Sequence, residues 1–221
     1  PPLKLQLREL LSSVYLHDLL KWKSIALPDK VAPKTVLIIP GFGGGDLSIL
    51  PLKLFLRTQG HHSYSWGLGI NHSQIEKFIE PLLNRIKHLS DKHGEQISLV
   101  GWSLGGIFAR ELARYHPKYI SSVVTMGSPV IIGPRITALK KLSSLFGWDI
   151  AQIEQDMIQR FDTPIERPIS AIFSKLDGIV SWQACIDHWS PDVQHHEVST
   201  SHMGMGYSKE VYKVISHLMA Q

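Results

Sequence analysis

From residue 35 onward the chain alternates between short β-branched apolar runs and longer stretches in which apolar residues recur every three or four positions. Thr35-Val36-Leu37-Ile38-Ile39 is stopped by Pro40-Gly41, and a run of that composition, ended that way, predicts a buried strand. Ile75, Phe78, Ile79, Leu82, Leu83, Ile86 and Leu89 trace one face of a helix over 75–93, with Gly94 as its stop. Further strands are expected at 61–66, 97–100, 121–126, 168–173 and 193–198, and further helices at 47–59, 104–115 and 209–219. Strands that alternate with helices, and are apolar enough to be covered on both faces, predict an α/β fold: a mostly parallel, doubly wound sheet of about six strands.

One connection exceeds what such a fold needs. About 38 residues separate Pro129 from Pro168, where a crossover helix with its loops takes roughly 15 to 25. Ile136, Leu139, Leu142 and Leu145, then Ile150, Ile153, Met157 and Phe161 predict two amphipathic helices on either side of Gly147. Residues 133–167 are thus a helical excursion after the fourth strand, either a cap over a site at the strands' carboxyl ends or helices packed on the sheet. Residues 1–34 read as a helical extension, because Leu3, Leu7, Leu10, Leu11 and Val14 fall at helical spacing. Docking of that helix on the body is favoured over peripheral membrane contact, although Lys21, Lys23 and Lys30 follow it. The 221 residues are expected to form a single domain, and no run approaches the ~18 apolar residues of a membrane span.

Composition narrows the partners. The net charge of +4 gathers over residues 1–34, where six Lys/Arg face three Asp/Glu, and the remainder is nearly neutral. A balance so small, with no basic stripe, argues against nucleic acid. The single cysteine, Cys185, can close no internal disulfide and supplies no cysteine metal cluster. The expectation is a reducing, cytoplasmic setting, with a secreted or periplasmic one as the alternative, and with no metal and no cofactor.

Chemistry is concentrated in Leu99-Val100-Gly101-Trp102-Ser103-Leu104-Gly105-Gly106. A strand turning sharply into a helix strains the residue at its apex, and side chains two positions to either side would collide with it or with the neighbouring strand. Gly101 and Gly105 remove that collision and leave Ser103 exposed above the strands' carboxyl ends, beside the positive end of a helix. A plain structural turn is the competing reading; the apolar strand before, the helix after and the central place in the alternation favour a nucleophile. A serine hydroxyl is inert at neutral pH and needs a base oriented by an acid. In the order serine, acid, histidine, the acid follows a later strand and the histidine the last one. Asp177 in Ser174-Lys175-Leu176-Asp177-Gly178 and His202 in Ser201-His202-Met203-Gly204 fall there. Of the twelve histidines, His61, His62, His88, His93 and His116 are expected at the surface, while His195 and His196 lie in the last strand. Asp187, Asp162 and Glu166 are the weaker candidates for the acid.

An oxyanion formed by serine attack needs donors already aimed at it. The backbone N–H of Leu104 is one candidate, and that of Phe42, with Gly43 behind it, is the other. The glycines of Pro40-Gly41-Phe42-Gly43-Gly44-Gly45 lack the Lys-Ser/Thr that a phosphate cradle requires. Trp66, Trp102 and Met203, with Phe42 and Met205, are candidates for an apolar substrate pocket. Asn71 is expected to serve turn chemistry, with loop fixing near the mouth as the alternative.

Together these residues resemble the α/β-hydrolase superfamily from about Thr35 onward, in the short form of small bacterial lipases and esterases. The likeness is carried by Gly101-Trp102-Ser103-Leu104-Gly105-Gly106, Ser174-Lys175-Leu176-Asp177-Gly178-Ile179-Val180 and Ser201-His202-Met203-Gly204. It implies the minimal α/β-hydrolase fold and hydrolysis of a small-molecule ester or lipid through an acyl-enzyme on Ser103, with His202 and Asp177. Pro40 stands where many lipases carry histidine, which removes a side-chain donor and leaves the backbone amides in place. The same triad would serve a thioesterase or an acyltransferase, and a non-catalytic member that binds an apolar ligand is the alternative from another class.

Overall fold

The computed structural model describes residues 1–9, 25, 32–72, 74–130 and 163–221. Six strands, β1 (Thr35–Ile39), β2 (His62–Ser65), β3 (Ile97–Trp102), β4 (Ile120–Met126), β5 (Ile169–Phe173) and β6 (Val193–Glu197), make one sheet in the order β2-β1-β3-β4-β5-β6. Every neighbouring pair is parallel, as the alternation with helices demands. The helices are α1 (Leu3–Glu9), α2 (Leu50–Thr58), α3 (Ile75–His93), α4 (Leu104–Tyr115) and α5 (Lys209–Met219).

Side chains alternate across the strands, so each strand feeds two cores. Val36, Ile38, Val100, Val124 and Met126 pack with Leu52, Phe55 and Leu56 of α2 and with Val211, Tyr212 and Ile215 of α5. Leu37, Ile39, Leu99 and Val123 pack on the opposite face with Phe78, Leu82, Ile86 and Leu89 of α3 and Phe108, Ala109 and Leu112 of α4. Each fully buried Leu, Ile or Phe contributes about 1.5–3 kcal/mol, and this is what holds the helices to both faces. β6 departs from the expectation: it is an edge strand, and Gln194, His195 and Glu197 are exposed.

Chain direction along the sheet reverses at β1, with β2 on one side and β3 on the other. In open α/β sheets the crevice at such a point, beyond the carboxyl ends of the strands, is where ligands bind. The loop after β1 and the turn after β3, which holds Ser103, both open into it.

Leu3 and Leu7 of α1 are 70% and 56% exposed and Leu5 is half-buried; Leu10, Leu11, Val14 and the lysines after them lie outside the described residues. The expected helices between Ile136 and Phe161 also lie outside them. The ends of that excursion are described: the Val130 N–H donates to the Ala184 carbonyl, and Arg114 Nη1 donates to the Thr163 carbonyl.

Candidate active site

Ser103 joins β3 to α4 with φ 54° and ψ −120°, the one non-glycine residue with positive φ among those described. Such a conformation costs on the order of 1–3 kcal/mol and persists only where its surroundings impose it. Here the imposition is visible. A Cβ at Gly105 would run into the Ile39 carbonyl at the end of β1, and one at Gly101 into the Gly105 backbone, so α4 leaves the sheet at closer range than other residues would permit. The Ser103 N–H is tied to the Met126 carbonyl of β4 at 2.8 Å.

Asp177 and His202 come together as the sequence order suggested. Asp177 sits in the turn after β5 and His202 in the loop after β6, just before the 3₁₀ turn Met203–Gly206. His202 Nδ1 lies 2.6 Å from Asp177 Oδ2, and both side chains are buried. Asp177 Oδ1 accepts the N–H groups of Ile179 at 2.8 Å and Val180 at 2.7 Å, which fixes the plane of the carboxylate. Burial pushes the imidazole pKa down, but the charge and hydrogen bond of Asp177, with the charge of Glu9, outweigh it and hold His202 above the ordinary histidine value.

The serine and the pair share a neighbour. Gly127 follows Met126, whose carbonyl holds Ser103, and a Cβ on Gly127 would stand 3.0 Å from His202 Nδ1 and 3.1 Å from Asp177 Oδ2. The ring of Trp102, next to Ser103 in the chain, is 6.4 Å from that of His202. The loop after β1 reaches the same place, since a Cβ on Gly41 would be 3.2 Å from Ser103 Cβ and 3.9 Å from its Oγ. Phe42 follows on that loop. Leu104 is the first residue of α4, where an amide has no carbonyl four residues back within the helix to satisfy it. Gly43 is otherwise committed, for its N–H donates to the Asn71 carbonyl at 2.8 Å.

Of the expected pocket residues, Met203 is 41% exposed beside His202, and Trp102 is buried, edge-on to Tyr207. Trp66 lies elsewhere: wholly buried against Phe78, it donates its indole N–H to the Gly69 carbonyl and braces a turn rather than lining a mouth. Asn71 exceeds turn chemistry. Its buried Nδ2 donates to the Pro40 carbonyl at 2.9 Å and its N–H to the Gly44 carbonyl at 2.8 Å, which pins the loop after β1 from below.

The competing residues are placed away from this site. Asp187 pairs with Arg110, Glu166 is exposed, and Asp162 lies outside the described residues. His62 and His88 are exposed, and His93 and His116 half-buried. His61 corrects the expectation of a surface role: it is 5% exposed, with Nδ1 accepting the Lys34 N–H, because the start of β2 is covered where the chain enters the sheet. His195 accepts the Asp187 N–H. Among the described residues no group of three His, Cys, Asp or Glu side chains is placed to hold a metal ion, and no helix is long and apolar enough to cross a membrane.

Sequence reasoning missed Glu9. Its Oε1 accepts the N–H groups of Gly178 and His202, each at 2.8 Å, and its Oε2 that of Met203 at 2.9 Å. The partners are backbone amides in distant loops, and no spacing in the sequence marks such a tie.

A parallel sheet that raises a strained serine after a central strand, with a buried carboxylate–imidazole pair after two later ones, is α/β-hydrolase architecture. The chain belongs to the alpha/beta hydrolase fold family, which residues 34–162 match. A pimeloyl-[acyl-carrier protein] methyl ester esterase of Vibrio vulnificus (strain CMCP6) is 25% identical over 118 residues, covering 53% of this chain and 42% of that protein; the match therefore spans less than half of the relative's length. In fold the chain is similar to a mature lipase of Bacillus licheniformis, with a TM-score of 0.68 and 14% identity over 89% of this chain and 96% of that one. It is similar also to an esterase of Pyrococcus furiosus, with a TM-score of 0.59 and 15% identity over 87% and 88%.

Proposed function

We propose that this protein is a serine hydrolase that cleaves carboxylic esters of the esterase or lipase type. The observation that carries the reading is the strained Ser103 held to β4 at Met126, one residue from the glycine that abuts the buried Asp177–His202 pair. In this reading Ser103 Oγ attacks the acyl carbon while His202 Nε2 accepts its proton, and Asp177 keeps Nδ1–H in place and stabilises the imidazolium. The N–H groups of Phe42 and Leu104 hold the developing oxyanion. The tetrahedral intermediate collapses as His202 returns the proton to the departing alkoxide, which leaves as the alcohol. Water, deprotonated by His202, then releases the acid from Ser103. The esterase and lipase relatives support an ester as substrate, and Met203 offers apolar surface beside the histidine for its acyl part.

A fluorophosphonate probe and a series of p-nitrophenyl esters from acetyl to palmitoyl test the proposal. Wild type is expected to be labelled covalently and to turn over part of the series. Ser103→Ala should lose the label altogether, and His202→Ala should lower kcat by several orders of magnitude. An unlabelled, inactive wild type would instead assign the fold to binding an apolar ligand.

A further inference from the structure

Glu9 ties the first helix to the site. Glu9 ends α1, where a carboxylate opposes the helix dipole, and nothing in α1 is buried to compensate. Its stabilisation comes from across the molecule, where three N–H groups from two loops converge on its two oxygens. Gly178 follows Asp177 directly, and His202 and Met203 open the 3₁₀ turn that presents the imidazole. The backbone of α1 packs there as well, since a Cβ on Gly178 would collide with the Leu5 carbonyl.

We propose that Glu9 is a positioning residue for the reaction, a carboxylate clamp that holds the acid-bearing and histidine-bearing loops in register and makes the segment before the family's fold a working part of the site. This rests on the serine-hydrolase reading above. One carboxylate accepting three amides sets the distance between the residue after Asp177 and His202 itself, and with it the 2.6 Å contact between their side chains. Charge-assisted bonds of this kind are roughly twice as strong as neutral ones. The charged groups acting on His202 are Asp177, from the turn after β5, and Glu9, from α1. Both favour the imidazolium that forms as Ser103 gives up its proton.

The experiment compares wild type, Glu9→Gln, Glu9→Ala and the surface control Leu7→Ser for fluorophosphonate labelling, for kcat and KM against pH, and for the His202 titration by NMR. Glutamine keeps one acceptor but turns an NH2 toward an amide that needs an oxygen. Glu9→Gln is expected to lower kcat about 10- to 100-fold with KM little changed. It should also move the His202 titration and the acid limb of kcat/KM to lower pH. Glu9→Ala should lose more, and Leu7→Ser nothing. A labelled wild type whose Glu9→Gln variant keeps both kcat and titration overturns the clamp alone. A rate loss with the titration unmoved assigns Glu9 a purely structural part and overturns it as well. A wild type that takes up no probe and hydrolyses no ester overturns the serine-hydrolase reading, and the clamp falls with it.

Discussion

Gly127 shows how little room the site leaves. Its φ of +56° is a conformation that other residues adopt only with strain, and its missing side chain is the space that His202 Nδ1 and Asp177 Oδ2 occupy. Gly127→Ala should therefore cost about 1–3 kcal/mol of stability and slow fluorophosphonate labelling at least tenfold, read by thermal unfolding and by labelling rate. On the proposed mechanism His202 sets the pH profile. Only neutral His202 can accept the proton of Ser103, and its pKa is held above the usual 6.5, so kcat/KM should rise with pH along a limb centred above that value. Asp177→Asn removes the largest of the contributions that together outweigh burial. It should shift the limb to lower pH and reduce kcat roughly ten-thousand-fold. The places of Ser103, Asp177 and His202 in the fold were legible because each follows a strand in a fixed order. Trp66 misled because a tryptophan before Gly67 looks like part of an exposed loop, whereas its ring turns inward on Phe78.

Among the elements, those with strong periodicity were read nearly to the residue. α3 ends at Gly94, whose φ of +66° lets its N–H close on the Ser90 carbonyl, and α5 begins at Ser208, which caps the Glu210 N–H. The shorter ones carry less signal: Trp182–Cys185 is a 3₁₀ turn, and four residues cannot display a period. The excursion departs from the carboxyl end of β4, three residues beyond Gly127, with Val130 fastened to Ala184. Shortening residues 133–160 is expected to flatten the preference among long-chain p-nitrophenyl esters while acetyl ester still turns over; an unchanged preference would return the segment to scaffold.

For the molecule as a whole, acid stability should depend on a pair outside the catalytic centre. Burial pushes the Asp187 carboxyl up, but the Arg110 charge, the Trp189 N–H and the Ser190 hydroxyl outweigh it and hold it at about 2. A carboxylate depressed in the folded state adds stability above its unfolded value, ordinarily 3.8, and that stability drains away as pH falls toward about 2. Asp187→Ala would leave the Arg110 guanidinium, whose side chain is 6% exposed, buried without its partner. Denaturant unfolding at neutral pH should register a loss of about 3–5 kcal/mol, with a flatter acid limb than wild type. The ties of Glu9 reach across 169 to 194 residues of chain, so their distant ends are synthesised long after Glu9 itself. On the proposed mechanism a growing polypeptide thus carries Ser103 before the acid and the histidine that would arm it, and the order of synthesis keeps the hydroxyl unactivated until both of their loops have emerged.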